Sequence, residues 1–267
     1  MGNMLTTSRL AGKLLLVSAY TLPLALLQEI ALRTKWWSDR SLPRLWHRLT
    51  LRVLGIRVHV KGAPSRERPL LIASNHVSWT DILVLGSISD VHFIAKAEVR
   101  DWPVMGTFAR LQRSVFVDRE RKRSTPEQAR EIAGRLANGD PMVLFAEGTT
   151  GDGSRVLPFK STLFGAARLA LEGKEESRVL VQPVAIAYLR RNGLPLDRRE
   201  RGEIAWIGDM DFVPHLMMLL RQGAIDVEVR FGEPLPFSAG ADRKSVARAA
   251  EAQVRRMLVT SLRQREY

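Results

Sequence analysis

Residues 70–85 constrain the fold more than any other stretch. Leu70-Leu71-Ile72-Ala73 is a short apolar run, a polar-rich turn follows from Ser74 to Asp81, and Ile82-Leu83-Val84-Leu85 is apolar again. An apolar run of that length, bounded by polar residues, reads as a buried strand. A buried strand that passes through a polar turn into a helix is how α/β proteins present chemical groups at a strand's C-terminal edge. The turn itself reads Asn75-His76-Val77-Ser78-Trp79-Thr80-Asp81, so His76 and Asp81 lie five apart. With Asp81 in the first helical turn, its carboxylate folds back toward the imidazole. That contact fixes the tautomer and leaves the other ring nitrogen to take a proton. The pair is a candidate general base and its orienting group. The plainer alternative is that Asp81 merely caps the helix. Ser78 lacks the Gly-x-Ser-x-Gly surroundings of a hydrolase nucleophile. No metal site is expected, because the chain has no Cys and no second His at helical ligand spacing from His76.

The 267 residues suffice for one large α/β domain with an appendage. Forty-one Lys and Arg against 28 Asp and Glu give a net charge of +13, which calls for an anionic partner such as a membrane, a nucleic acid or an acidic protein. The excess is uneven, with +9 of it in residues 1–68. The absence of Cys excludes disulfides and thiolate catalysis and fits a reducing compartment.

The first quarter has its own character. Leu14 to Leu27 is uncharged and largely apolar, flanked by Arg9 and Lys13 before it and Arg33 and Lys35 after it. Spanning a bilayer takes about 20 apolar residues. This run ends sooner, at Gln28-Glu29, and holds Pro23. It suits a helix dipping into one leaflet, with Trp36 and Trp37 at headgroup level; a single span extended through Leu32 stays open. Leu42, Leu45, Trp46, Leu49 and Val53 then share one helical face, while Arg44, Arg48 and Arg52 stack along another. Residues 1–54 are therefore expected to form a two-helix membrane-associating module. The protein would sit on the cytoplasmic face of the membrane, peripheral, monotopic or single-span.

From Ile56 the pattern turns to α/β alternation, giving residues 55–267 as one domain: a single mixed, largely parallel sheet flanked by helices. Strands are expected near 56–60, 70–74, 91–95, 114–117, 142–146, 179–187, 204–207 and 225–231. Helices are expected near 103–112, 126–137, 161–171, 214–221 and 242–262. Three expected strand ends carry polar turns: His76 to Asp81, Val117-Asp118-Arg119, and Glu147-Gly148-Thr149-Thr150.

These turns, with Val181-Gln182-Pro183-Val184-Ala185-Ile186 and Leu157-Pro158-Phe159-Lys160, form an ordered set that resembles the glycerolipid acyltransferases, above all the 1-acylglycerol-3-phosphate acyltransferases. The resemblance covers roughly residues 50–235. It implies acyl transfer from a thioester, on acyl carrier protein or coenzyme A as co-substrate, to a lysolipid hydroxyl, with no metal or redox cofactor. It makes His76 the base and Asp81 its orienting partner. Lys96, Arg119, Glu147, Gly148 and Thr149 fall on the acceptor side, with Lys96 at a phosphate-binding position. Pro183 belongs to a block that walls the acyl groove. The chemistry agrees, since a hydroxyl attacks a thioester poorly unless a base removes its proton as the bond forms.

One departure bears on the acceptor. Where the family reads Glu-Gly-Thr-Arg, this chain reads Glu147-Gly148-Thr149-Thr150. Arg is a bidentate phosphate ligand and Thr carries no charge. Either Lys96, Arg119, Arg155 or Lys160 replaces that contact, or the acceptor has no phosphate. Lysophosphatidic acid is the first expectation and lyso-ornithine lipid the second. A nucleic-acid binder would need basic residues interleaved with exposed aromatics on one platform, whereas here the charge clusters beside an apolar helix. No nucleic-acid partner is expected. A non-catalytic membrane scaffold would have no use for the His76–Asp81 pair.

Overall fold

The computed structural model describes residues 2–117, 126–171, 178–208, 210–238 and 240–264, with side chains from Ser8 onward. The expectations for Arg119 and for the polar turn around it fall outside the described residues. Among the described residues, nine strands form one sheet: β1 (Ile56–Lys61), β2 (Leu70–Ser74), β3 (His92–Lys96), β4 (Val115–Val117), β5 (Met142–Phe145), β6 (Arg178–Arg191), β7 (Leu194–Pro195), β8 (Ile225–Phe231) and β9 (Leu235–Ser238). The main path runs β1-β8-β6-β2-β5-β3-β4, with β7 and β9 paired to β6. β6, β2, β5, β3 and β4 are mutually parallel, and β8, β7 and β9 run antiparallel to β6. The sheet is mixed and largely parallel, as the alternation of apolar runs and helical patterns dictates.

Strand composition explains the layering. β2 is buried along its whole length and β5 likewise, so helices must cover both faces. One layer is built on α2 (Ser41–Leu54), α3 (Thr80–Ile88) and α8 (Phe212–Arg221), which meet Ile72, Val184, Ile186 and Tyr188. The other contains α5 (Pro126–Ala137), α6 (Gly165–Leu169) and α9 (Arg243–Arg263), which meet Leu71, Ala73, Ala185 and Ala187. The alternation of Val184, Ala185, Ile186, Ala187 and Tyr188 between two cores follows from the two-residue period of a strand.

The N-terminal helix α1 (Gly2–Thr34) is longer than its apolar run suggests, continuing through Pro23 and past Gln28-Glu29. Its Ser8–Thr34 portion is long and apolar enough to cross a membrane, at a mean hydropathy of 1.7. One side is tied to the domain. Lys13 Nζ donates to the Leu220 carbonyl, Tyr20 and Thr50 share a hydrogen bond, and Gln28 donates to the Asp39 and Leu111 carbonyls. α2 also packs inward, burying Leu51 and Leu54 and ending at Gly55 in the left-handed region. Of its arginine row, Arg44 and Arg48 donate to the Ser87 and Ile88 carbonyls at the end of α3, so these charges help close a helix terminus.

Residues 204–207 are not a strand. Asp197 accepts from the Glu200 amide and Glu200 returns to the Asp197 amide, a capping box that starts α7 (Arg198–Ile204). Ile204 ends that helix, and the chain continues as a loop. After Lys160 the expected single helix is a 3₁₀ turn, Ser161–Phe164, followed by the short α6. The short α4 (Met105–Leu111) falls inside the expected 103–112 helix.

Candidate active site

β2 and β5 are parallel neighbours, with Ser74 opposite Phe145, so the turns after them emerge side by side. The buried Asn75 extends this end of the sheet by hydrogen bonding. Its amide donates to the Ile186 carbonyl at 3.0 Å and its carbonyl accepts from the Ile186 amide at 2.8 Å, continuing the β2–β6 ladder through a side chain. His76 then lies at the edge of the sheet, its side chain 15% exposed, with its ring stacked on Phe145 at 3.8 Å between centroids.

Asp81, in the first turn of α3, is fully buried. Its Oδ2 stands 2.8 Å from His76 Nδ1 and also accepts the Val77 and Ser78 amides at 2.6 and 3.0 Å. An ionised carboxylate accepts only, so the proton between the residues sits on Nδ1. Nε2 keeps its lone pair, with no protein partner among the described residues. Asp81 thus closes the turn ahead of α3 and orients the imidazole at once, while the helix N-cap, Trp79, has no side-chain cap hydrogen bond. Of the two readings that the sequence leaves side by side, the orienting one matches the contacts and the helix-cap one does not, because the amides that Asp81 accepts precede the helix N-cap.

Glu147 closes the neighbouring turn from inside. Its Oε2 accepts the His76 amide at 3.2 Å and its Oε1 the Leu157 amide at 2.9 Å, in a pocket that leaves the residue 2% exposed. Burial pushes its carboxyl up to about 8, against the two backbone donors, with Asp81 and Glu251 adding to the rise. Gly148 is in the left-handed region at φ 72°, and a Cβ there would stand 2.9 Å from Lys160 Cδ. The Lys160 side chain therefore lies across Gly148. Thr149 is exposed at the tip of the turn. Lys96 ends β3, two strands from β2 and so about 10 Å along the same edge, where it pairs with Glu98 at 3.1 Å.

The sheet brings His76, Asp81, Glu147, Gly148, Thr149 and Lys96 to one edge; Arg119 lies outside the described residues. Several turn amides that an oxyanion could have used are already engaged. Those of Val77 and Ser78 go to Asp81, that of His76 to Glu147, that of Gly148 to the Phe145 carbonyl, and that of Gly151 to the His76 carbonyl. Position 150 has a structural task as well. Thr150 Oγ1 donates to the Trp206 carbonyl at 2.5 Å, and the Trp206 amide donates to the Val77 carbonyl at 2.9 Å. The loop after α7 is thereby tied to both turns, and its Trp206 meets Trp102 edge to face at 5.7 Å. Sequence reasoning missed Asn75, Trp206 and Tyr188 because their partners lie far away along the chain.

The family described as Acyltransferase matches residues 55–187, the span that carries the His76 turn, the Glu147 turn and β6. A protein of Brucella abortus named lyso-ornithine lipid O-acyltransferase is 52% identical over 93% of this chain and 93% of its own. This chain belongs to the acyltransferase family. One of the same name from Rhizobium meliloti is 50% identical, over 86% of this chain and 80% of its own. Among solved structures, the 1-acyl-sn-glycerophosphate (LPA) acyltransferase PlsC of Thermotoga maritima matches with a TM-score of 0.63 at 20% identity, covering 97% of this chain and all of that one. That likeness establishes a shared acyltransferase fold, N-terminal helix included.

Proposed function

We propose that this acyltransferase transfers an acyl chain from a thioester to the hydroxyl of a lysolipid, and that the acceptor is a lyso-ornithine lipid. His76 Nε2 takes the proton of the acceptor hydroxyl as its oxygen attacks the thioester carbonyl. The tetrahedral intermediate collapses with loss of the thiolate, which recovers the proton from the imidazolium. Asp81, fixed in place by its donors, stabilises the imidazolium between these steps. Glu147 and Asn75 keep the turn rigid, so that Nε2 meets the hydroxyl in one geometry. The donor is acyl carrier protein or coenzyme A carrying the thioester.

The observation that carries the choice of acceptor is Thr150. The residue in the place of the family's arginine is uncharged, and its hydroxyl is spent on the Trp206 carbonyl. A phosphate ligand has been exchanged for a loop tie, which suits an amino-acid headgroup without phosphate. The names of the relatives from Brucella abortus and Rhizobium meliloti favour the same acceptor. The order drawn from the sequence, lysophosphatidic acid first, is accordingly reversed. Both substrates are lipidic, so the reading includes a membrane surface, with α1 as the contact.

The test is kcat/KM of the purified enzyme on lyso-ornithine lipid and lysophosphatidic acid, for the native protein and Thr150→Arg. The native enzyme should prefer lyso-ornithine lipid, and Thr150→Arg should impair that substrate by placing a cation beside the Trp206 loop. His76→Ala should cost about 10²–10⁴-fold on either acceptor. Native activity confined to the phosphate-bearing lysolipid would return the assignment to lysophosphatidic acid. Near-full turnover by His76→Ala would remove the base mechanism.

A further inference from the structure

Asp81 is buried without a cation of its own, so its charge rests on hydrogen bonds. Its Oδ2 takes three donors, namely His76 Nδ1 and the Val77 and Ser78 amides. Its Oδ1 takes one: the Tyr188 hydroxyl, at 2.8 Å. Tyr188 is in turn 2.6 Å from Thr80 Oγ1. The Tyr188 proton is committed to Asp81, so Thr80 donates to the Tyr188 oxygen and fixes its direction. Burial and the Asp81 charge push the Tyr188 phenol well above its ordinary range, which keeps it a donor. All three residues are nearly or fully inaccessible, at 0% for Asp81 and Thr80 and 2% for Tyr188.

The backbone is built to aim this hydroxyl. Ile186, two residues before Tyr188, is the partner of the Asn75 side chain, which locks β6 to the end of β2. The β6–β8 register then shifts between Tyr188 and Arg190. Such a bulge re-aims side chains beside a site.

We propose that Tyr188 is a positioning residue of the catalytic pair: it holds Oδ1 so that Asp81 keeps Oδ2 on His76 Nδ1, and Thr80 sets the direction of that bond. The chain of contacts is Thr80 to Tyr188 to Asp81 to His76, linking α3, β6 and the turn after β2. This rests on His76 as the base. Without the phenol, Oδ1 loses its donor, and only the contacts of Oδ2 resist rotation about the Cβ–Cγ bond. Its undivided charge also binds the imidazolium more tightly, so His76 holds a proton to higher pH. The other titratable groups at this edge are Glu147, on the His76 amide, and Lys160, across Gly148. Neither has a hydrogen bond to Asp81 or Tyr188, and Glu147 faces the Asp81 charge in native enzyme and variant alike.

The experiment compares Tyr188→Phe with the native enzyme in steady-state acyl transfer from pH 5 to 9, alone and in an Asp81→Asn background. A lost hydrogen bond to a charged group predicts a fall in kcat of about 10- to 100-fold. KM for acceptor and donor should stay within about twofold, since no binding contact is touched. The acid limb of kcat/KM should move to higher pH. In the Asp81→Asn background the same change should cost almost nothing, because Tyr188 acts through Asp81. Thr80→Val should show the same shifts at smaller size, and it decides the matter if Tyr188→Phe does not fold. Losses that multiply across the two sites, with an unmoved acid limb, would make Tyr188 a packing residue and overturn the proposal. So would full activity of both Tyr188→Phe and Thr80→Val. Retained activity of His76→Ala fails differently, by removing the base on which the proposal rests.

Discussion

Glu147 shows how one buried carboxyl couples the site to stability. Its carboxyl is pushed from 4.5 to about 8, so the folded protein holds this proton more firmly than the unfolded chain. The stability that this contributes is complete below about pH 4.5 and is lost as pH rises through 8. Glu147→Gln carries no such proton, so the fall in its Tm between pH 5 and 8.5 should be shallower than in the native protein. Parallel melting curves check this, and identical slopes would show that Glu147 stays ionised. The residues differ in how far the sequence reveals them. His76 and Asp81 are legible because the pair is local, five positions apart with a turn and a helix start between them. Tyr188 is not, since its bond to Asp81 closes a loop of more than a hundred residues that only the finished sheet defines. Thr150 is legible as a missing cation but not as the tie to Trp206.

Elements that declare themselves by period or apolar run are the ones the sequence predicts well: the strands around β2, β5, β6 and β8, and the amphipathic α2 and α9. Those that depend on a cap or on sheet context are not. The Asp197–Glu200 box starts α7 in a highly charged stretch with no apolar stripe, and β9 contains Pro236, which reads as a breaker. α1 is legible in composition, while its length is not, because its polar and charged C-terminal turns are held by Gln28 and the loop at Asp39. On the side away from the domain it exposes Leu15, Leu22 and Leu26 at 73, 73 and 63%. An apolar face of that size on a soluble surface calls for a cover. Replacing these three leucines by Asn should abolish sedimentation with phosphatidylglycerol-containing vesicles while leaving the circular dichroism spectrum unchanged. Undiminished sedimentation would assign binding to basic residues alone.

At the scale of the whole molecule, the proposed membrane contact would use the charge of +13 and the exposed helix together: electrostatics would bring the protein to an anionic surface and apolar insertion would keep it there. The candidate catalytic edge, by contrast, is anchored in the sheet. Its turns leave β2 and β5, which sit between β6 and β3 in the middle of the sheet, and Asn75 stitches the first of them to β6. Such a placement has a consequence for amide hydrogen exchange. The Val77 and Ser78 amides belong to a loop, where exchange is ordinarily fast, yet both point at a fully buried carboxylate. No local opening releases them without unmaking the centre of the sheet, so they should exchange with deuterium as slowly as Val143 and Leu144 in β5. If they exchanged orders of magnitude faster, the turn would open independently of the sheet. Slow exchange would mean that this candidate catalytic loop is among the last parts of the protein to let water in.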